Sequence, residues 1–191
     1  MVAARSGRAL DVVDIWCDGA CRNNGGVNPN LPVLAGVGVY CPTASREDRR
    51  YHRALPWLKQ GPDNVGPTSN RAEIWACTIA LNNAYSMVEE DALPRTKFRI
   101  HMDSSYVYNA MTVGRLQWER NKWKTPQGGR ITNFDLFWNL LDIHDRLEEL
   151  GATIEYRLIP REENREADAL ANLGCDEAAQ HYSNGYSHDW P

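Results

Sequence analysis

The sequence predicts one α/β domain with a mixed five-stranded sheet, three antiparallel and two parallel strands, flanked by helices in the order βββαβαβα. The first three strand-like segments follow one another without a helix between them, which favours an antiparallel meander. The last two strand patterns alternate with helical patterns, which favours parallel crossovers. The chain has 191 residues, about the length of one ordinary domain, and no repeat or linker divides it.

The first three strands are predicted over residues 12–17, 34–41 and 49–55. The first strand is apolar and is predicted to stop at the turn pair Asp18-Gly19. The second alternates glycine with valine, which indicates a close backbone approach on one face. The third is highly charged, as expected of an exposed or edge strand.

A long helix is predicted over residues 70–90, since three residue types that cap helices stand at its start: Thr68, Ser69 and Asn70. Residues 97–102 alternate in polarity as a half-buried strand, and a short helix is predicted over residues 104–111.

The second half of the chain ends with a helix, a strand and a helix. Residues 133–150 have a strong amphipathic pattern that Gly151 ends. A last strand is predicted over residues 153–159, before Pro160, and a final helix over residues 162–179.

Composition excludes several classes of protein. Hydrophobic residues make up 42% and charged residues 24%, which is typical of a globular chain. No apolar run approaches the roughly 18 residues that a membrane span needs. The first ten residues contain no apolar segment, and the five cysteines follow no secretory signal, so we expect a reducing intracellular compartment: nucleus or cytoplasm, with the mitochondrion as an alternative. Cys17 and Cys21 lack partners at ligand spacing, so we expect no zinc site there.

Four acidic residues stand at predicted element boundaries: Asp18, Glu73, Asp103 and Asp168. Ligands of α/β sheets gather at the carboxyl ends of parallel strands. If the first and fourth strands are neighbours, Asp18 and Asp103 lie side by side there, and the other two acids reach the same point from the first turns of helices. Close carboxylates repel one another unless cations lie among them. Oxygen ligands select Mg²⁺ or Mn²⁺, so such a cluster indicates phosphoryl chemistry with two metal ions.

Each acid also has a local structural explanation. Asp18 could belong to a turn, Glu73 could be the partner of a helix cap at Asn70, and Asp103 could itself be a cap. Asp168 could complement the dipole of the final helix. The convergence of all four favours a metal site.

Four segments resemble, in order and at consistent spacing, the motifs of type 1 ribonuclease H. They are residues 18–25 (DGACRNNG), residues 68–73 (TSNRAE), residues 102–104 (MDS) and residues 164–168 (NREAD). The resemblance covers residues 12–179 and implies the ribonuclease H-like fold. We therefore expect residues 11–180 to form the catalytic domain, between a flexible N-terminus of residues 1–10 and a flexible tail of residues 181–191.

The resemblance implies that the four acids bind two Mg²⁺ ions, with Mn²⁺ as a substitute, and that the enzyme cuts the RNA strand of RNA/DNA hybrids. One ion would activate a water molecule and the other would stabilise the leaving 3′ oxygen. The products would carry a 5′-phosphate and a 3′-hydroxyl.

The resemblance also implies substrate contacts. Asn24, Ser69 and Asn70 match residues that reach the minor groove of the hybrid, where 2′-hydroxyls distinguish RNA from DNA. Thr68 and Asn133 match groups that hold a phosphate of the DNA strand. The alternatives are that Asn24 only makes a turn and that Thr68 only caps a helix.

Residues 114–130 are basic and aromatic. Their only acid is Glu119, and their cations are Arg115, Arg120, Lys122, Lys124 and Arg130. The segment resembles the basic protrusion of cellular family members, in which Trp118, Trp123 and Lys124 would line a channel for the DNA strand. The alternative is that both tryptophans belong to the core and the charges to a solvated face.

The chain departs from the family before its fourth acid. The family usually has a glycine-rich loop with a histidine there, whereas residues 160–164 (PREEN) are short and contain no histidine. We expect activity to survive, slower or with a stronger preference for Mn²⁺. Glu162 or Glu163 could accept a proton instead, or only complement a helix dipole. His101, two residues before Asp103, is expected to be a structural strand residue.

Two other functions were weighed against a hybrid-specific endoribonuclease. A resolvase, integrase or 3′–5′ exonuclease would share the fold, but the TSNRAE and NREAD segments oppose it. A non-catalytic or weakly active hybrid-binding domain would explain the missing histidine but not the retained acids. The separate hybrid-binding module of many eukaryotic members has no match here, so we expect low processivity. We also expect a monomer that does not associate with membranes.

Overall fold

The computed structural model describes residues 12–24, 31–42, 50–55, 66–91 and 96–183. The predicted flexible N-terminus over residues 1–10 lies outside these residues. The last eight residues of the predicted C-terminal tail also lie outside them.

The strands form one mixed sheet. They are β1 Val12–Arg22, β2 Leu34–Tyr40, β3 Arg50–Ala54, β4 Lys97–Met102 and β5 Thr153–Leu158. Their spatial order is β3-β2-β1-β4-β5. β2 pairs antiparallel with β1 and with β3, and β4 pairs parallel with β1 and with β5. This confirms the predicted mixed sheet, the edge position of β3 and the neighbouring positions of the first and fourth strands.

The predicted end of β1 at Asp18-Gly19 is wrong. β1 continues to Arg22 because its antiparallel pairing with β2 extends as far as Arg22 opposite Leu34. The parallel pairing with β4 stops earlier, at Trp16 opposite His101. Asp18 therefore lies inside a strand, just beyond the point where β1 and β4 part.

The helical segments are longer than predicted in the middle of the chain. They are α1 Ser69–Asp91, α2 Ser105–Asn109, a π-helical turn Ala110–Gly114, α3 Arg115–Arg120, α4 Phe134–Glu149, a 3₁₀ turn Arg161–Glu163 and α5 Arg165–Ser183. The helix that was predicted to end at residue 111 continues as helical chain to Arg120, through Gly114.

The predicted end of α4 is confirmed, whereas both predicted bounds of α5 are wrong. Gly151 takes a positive φ of 87° after α4, and its N–H donates to Glu148 O at 2.9 Å, which confirms it as the terminator. α5 begins three residues later than predicted, because residues 161–163 form the separate 3₁₀ turn. It also runs past the predicted boundary at residue 180, so residues 181–183 are helical and do not belong to a tail.

Helices cover the sheet on both faces. Gly38 faces α5, since a Cβ there would lie 2.2 Å from Ala167 O. Gly19 faces α1, since a Cβ there would lie 2.2 Å from Ala72 C. Val37 pairs with Gly19 and so shares its face of the sheet. Gly38 is the next residue of β2 and faces the other way, so α1 and α5 lie on opposite faces of the sheet. The apolar core lies between the sheet, α1 and α4, and its largest fully buried side chains include Phe98 and Phe137. No helix in the described part of the chain is long and apolar enough to cross a membrane.

Candidate active site and nucleic-acid interface

Three of the four predicted acids meet at one end of the sheet. Asp18 comes from β1, Glu73 from α1 and Asp103 from the end of β4. One carboxylate oxygen of each lies within 4.8 Å of the others. Asp18 is buried, and the other two are partly exposed. Elements that are far apart in sequence thus bring three carboxylates to one point.

Glu73 reaches the cluster because α1 packs closely on β1. Gly19 allows this approach, and its N–H donates to Glu73 Oε2 at 3.2 Å. Glu73 was predicted in the first turn of α1, but it is the fifth residue of that helix and lies beyond the first turn. It is also not the partner of a cap at Asn70, because Thr68 caps the helix: Thr68 Oγ1 accepts the N–H of Arg71 at 3.3 Å.

Asp103 is held by a buried amide. Ser104, not Asp103, caps α2, since Ser104 Oγ accepts the Val107 N–H at 3.4 Å. The carboxylate of Asp103 accepts from Asn164 Nδ2 at 3.1 Å, and the same amide donates to Cys17 O at 3.1 Å. Asn164 is fully buried and so fixes Asp103 against β1.

Asp168 lies in the first turn of α5, outside the group of three. Its Oδ1 lies 2.5 Å from Arg161 Nη2, and its Oδ2 accepts from Asn172 Nδ2 at 3.4 Å. It is close enough to raise the pKa of Asp18, after the effects of burial and Asp103. Arg161, in the 3₁₀ turn before α5, therefore pairs with the fourth acid.

Burial and mutual repulsion raise the pKa values of two acids of the cluster. Burial first, and then the charge of Asp103, raise the pKa of Asp18 to about 7. Burial, followed by the charges of Asp18 and Asp103, raises the pKa of Glu73 to about 9. Arg161 opposes both shifts, but only partly. Without a cation, the site therefore retains protons at neutral pH.

The donor set fits divalent cations. All three groups offer carboxylate oxygens, which hard cations such as Mg²⁺ and Mn²⁺ prefer. A bound cation would also remove the repulsion that raises the two pKa values. The residues present thus suit the metal that the sequence predicted.

Two of the predicted hybrid contacts, Asn24 and Ser69, lie next to each other. Asn24 Nδ2 donates to Ser69 Oγ at 3.0 Å. Asn70, the next residue of α1, is exposed. The loop after β1 and the start of α1 therefore present one polar surface.

Thr68 and Asn133, the predicted phosphate contacts, are linked by a residue that sequence reasoning missed. Arg71 donates its backbone N–H to Thr68 and donates from Nη1 to Asn133 Oδ1 at 3.2 Å. Its guanidinium also binds both oxygens of Asp135, at 2.8 and 3.3 Å. Arg71 is buried, so only the fold reveals that it joins α1 to the start of α4.

Trp118 and Trp123 are half-buried in an aromatic cluster. Trp118 packs on Phe137 with ring centroids 4.9 Å apart, and Trp123 packs edge-on against Phe134 at 5.5 Å. Each tryptophan thus has a side packed on neighbouring aromatic rings and a remaining exposed side, and their contact with the DNA strand stays a prediction. Lys124 is exposed beside them.

Trp138 was also missed by sequence reasoning. It packs edge-on against Trp123 at 5.6 Å, and about half of it, 52%, is exposed. In the sequence, Trp138 looks like an ordinary residue of an amphipathic helix. Only its contacts with neighbouring aromatic rings in the structure distinguish it.

His101 has a structural environment. Its ring stacks on Trp16 with centroids 4.5 Å apart, and its Nε2 lies 2.7 Å from Asp14 Oδ1. Glu162 and Glu163 are exposed in the 3₁₀ turn.

A mixed five-stranded sheet of this order, with carboxylates from β1, α1 and the end of β4 at one point, defines a nuclease of the ribonuclease H-like class. The sequence profile of the RNase H family matches residues 11–176. A ribonuclease H of Paracidovorax citrulli is 30% identical over 174 residues, which cover 88% of this chain and 97% of that protein. The chain belongs to the RNase H family and is an enzyme of that family.

Solved structures agree on the fold. The N-terminal RNase H domain of a Mycobacterium tuberculosis protein, fused to maltose-binding protein, is 25% identical, with a TM-score of 0.56 over 90% of this chain and 99% of that chain. LC11-RNase H1, solved in complex with an RNA/DNA hybrid, is 23% identical, with a TM-score of 0.59 over 87% of this chain and 99% of that chain.

Proposed function

We propose that this protein is an endoribonuclease that cleaves the RNA strand of RNA/DNA hybrids by two-metal-ion hydrolysis. The products carry a 5′-phosphate and a 3′-hydroxyl. Asp18, Glu73, Asp103 and Asp168 are the metal ligands, with Mg²⁺ as the ion and Mn²⁺ as a substitute. The enzyme acts as a monomer.

The observation that carries this proposal is the convergence of Asp18, Glu73 and Asp103 within 4.8 Å, with the pKa values of Asp18 and Glu73 raised to about 7 and 9. Such repulsion destabilises the protein, so the cluster is best explained by cations that it binds in the working state.

The chain's own groups orient the ligands. Gly19 N–H holds Glu73, Asn164 holds Asp103, and Arg161 holds Asp168. When bound, the two cations would supply an acidic water molecule and neutralise the charge that develops on the phosphate. The missing histidine leaves Arg161 as the cationic group beside the acids.

The substrate lies across three surfaces in this proposal. Asn24, Ser69 and Asn70 contact the minor groove, where the 2′-hydroxyls of the RNA strand are displayed. Thr68 and Asn133, braced by Arg71, hold a phosphate of the DNA strand. Trp118, Trp123 and Lys124 contact the DNA strand beyond it. The solved hybrid complex of LC11-RNase H1 supports a hybrid as the substrate class.

One observation favours a second candidate, a weakly active or non-catalytic hybrid-binding domain. Arg161 pairs with Asp168 at 2.5 Å, and Asp168 is outside the group of three carboxylates. If that ion pair persists when the substrate binds, the fourth ligand stays unavailable.

Cleavage of an end-labelled RNA/DNA hybrid tests both candidates. The protein is incubated with Mg²⁺ or Mn²⁺ beside RNA/RNA and DNA/DNA duplexes, and product ends are identified by their mobility against an alkaline ladder. We expect cuts in the RNA strand of the hybrid alone, with 3′-hydroxyl ends.

Asp103→Asn removes one proposed ligand, and Asp142→Asn, an exposed acid of α4, is the matched control. The proposal predicts that only Asp103→Asn loses cleavage. Hybrid binding without cleavage by either metal would support the second candidate and overturn the first.

A further inference from the structure

A second cluster of potential metal ligands lies on α4, away from the proposed catalytic acids. His144 is 3% exposed, and its Nδ1 lies 2.9 Å from the hydroxyl of Tyr156 in β5. The two rings are nearly parallel, with centroids 5.8 Å apart. The hydrogen bond and the stacking fix the orientation of the imidazole.

The other nitrogen of His144 faces two carboxylates. One ring nitrogen of His144, one oxygen of Asp145 and one of Glu148 lie within 4.8 Å of one another. Glu148 Oε1 lies 3.4 Å from Nε2, but the two atoms do not form a hydrogen bond of acceptable geometry. Among the residues that the structure describes, Nε2 is thus a buried nitrogen without a hydrogen-bond partner, which is unfavourable unless something binds there.

The spacing of these atoms suits a metal ion. Ligands about 2.0–2.1 Å from a tetrahedral ion lie about 3.3–3.4 Å apart, close to the 3.4 Å between Nε2 and Oε1. The hydrogen bond to Tyr156 has the form of the outer-shell partner that usually orients a metal-binding histidine.

One neighbouring cation opposes a metal here. Arg115 Nη2 lies 3.8 Å from Asp145 Oδ1. Two carboxylates outnumber this single guanidinium, and the exposed side chain of Glu148 can reach an ion independently of it.

We propose that His144 Nε2, Asp145 and Glu148 form a binding site for one divalent transition-metal ion of the Zn²⁺ type. The imidazole ligand distinguishes this site from the catalytic cluster, because mixed nitrogen and oxygen donors select Zn²⁺-like ions over Mg²⁺. The bound ion bridges successive turns of α4 and, through Tyr156, ties that helix to β5.

Zn²⁺ titration of the Asp103→Asn variant tests the site with the catalytic cluster weakened. Binding is measured by calorimetry, and the ring nitrogens of His144 are followed by ¹H–¹⁵N NMR. We expect one Zn²⁺ per chain at this site and a large shift of the Nε2 resonance on binding.

Three exposed substitutions complete the test, and none of them alters a buried side chain. Glu148→Gln and Asp145→Asn should each weaken Zn²⁺ binding at least tenfold, and Glu149→Gln, the neighbouring acid, should leave it unchanged. An unchanged Nε2 resonance in excess Zn²⁺, or equal affinities for Glu148→Gln and Glu149→Gln, would overturn the proposal and leave an ordinary His–Glu contact.

Discussion

At the residue scale, three of the four candidate acids are held by partners that the sequence motifs contain but do not identify. Gly19 N–H holds Glu73, and the amide of Asn164 holds Asp103. Arg161 pairs with Asp168. These contacts hold three carboxylates in place although the charges of the cluster repel one another.

Asp103→Asn should strongly lower activity but stabilise the metal-free protein. The amide keeps an oxygen that can accept from Asn164, and it removes the charge that raises the pKa of Asp18. We expect the free energy of unfolding to rise by about 1 kcal/mol, equivalent to roughly 2–4 °C in Tm. If Asp103 is a metal ligand as proposed, its loss should cost several kcal/mol in the transition state and lower kcat/KM by at least about 100-fold.

Thermal unfolding in a chelator and hybrid cleavage in Mg²⁺ check this prediction, with Asp142→Asn as the control. A lower Tm for Asp103→Asn would show that its charge does not strain the folded state.

Arg161→Ala should raise the pKa of Asp18 further. Arg161 lowers the pKa of both Asp18 and Glu73, so its loss removes a favourable interaction with their charged forms. We expect an upward shift of up to about one unit, which is within the usual range for a nearby charge. The ¹³C resonance of the Asp18 carboxyl, titrated without metal, measures it.

Arg161→Lys keeps the charge and should largely restore the titration of Asp18. Identical titrations in the wild type and Arg161→Ala would mean that Arg161 does not influence the cluster.

At the element scale, backbone contacts between helices and strands decide where the acids lie. α1 packs on β1 at Gly19, and α5 packs on β2 at Gly36 and Gly38. The alternation of glycine in β2 predicted this close approach, but only the structure shows that α5 is the element that approaches. Since Asp168 follows Ala167 in α5, this packing also positions the fourth acid.

Gly38→Ala should push α5 away from the sheet. Its Cβ would lie 2.2 Å from Ala167 O and 2.4 Å from Ala171 N, and neither backbone atom can move alone. We expect a loss of about 1–3 kcal/mol in the free energy of unfolding. Activity should fall as well, because Asp168 moves with the helix.

Urea unfolding and cleavage rates at a temperature where both variants are folded measure these effects. The control is Gly129→Ala, whose nearest neighbour would be Thr125 Oγ1 at 3.4 Å. Equal stability of the two variants would contradict the packing argument.

At the scale of the whole molecule, one segment differs in charge from the rest of the chain. The formal net charge is −4, yet residues 114–130 contain five cations and one acid. These cations lie on the proposed path of the DNA strand. A local basic segment of this kind would let an acidic protein bind a polyanion.

The metal-free protein should lose stability as pH rises. The pKa values of Asp18 and Glu73 in the folded state, about 7 and 9, exceed their usual values of 3.8 and 4.5. The folded state therefore binds more protons than the unfolded state between about pH 4 and pH 9, and the free energy of unfolding falls across that range. Bound Mg²⁺ should remove most of this slope.

Urea unfolding at several pH values, with a chelator or with Mg²⁺, tests this expectation. The double variant Asp18→Asn, Glu73→Gln should lack the slope in the chelator. A chelated wild type that becomes more stable from pH 5 to pH 9 would exclude raised pKa values in the cluster.

Hybrid binding should weaken steeply with salt, and part of that dependence should come from Lys124. Each phosphate contact contributes about 0.9 to the slope of log affinity against log salt. We expect the Asp103→Asn variant to bind the hybrid without cutting it. In that background, Lys124→Ala should reduce the slope by about 0.9, the contribution of one phosphate contact. The charge of Lys97 already pairs with Glu155, so Lys97→Ala should leave the slope unchanged.

Much of the fold was predictable because it depends on local patterns. Local sequence patterns located all five strands, and Gly151 marked the end of α4. Boundaries failed where pairing with another element decided them: β1 continues past Asp18 because β2 offers partners as far as Leu34. The helix beyond residue 111 was missed because Gly114, a poor helix former, interrupts the helical pattern, although the residues of α3 that follow it are mostly good helix formers.

The sequence by itself determined the family, the sheet class and the four candidate acids, because motif spacing and side-chain chemistry are properties of the chain. Only the tertiary structure decided that three carboxylates share one point while Asp168 pairs with Arg161. It also decided that Arg71 braces Thr68 and Asn133, and that His144 meets Tyr156. These contacts join residues from different elements, and their distances depend on how helices pack on the sheet, which local sequence patterns do not encode.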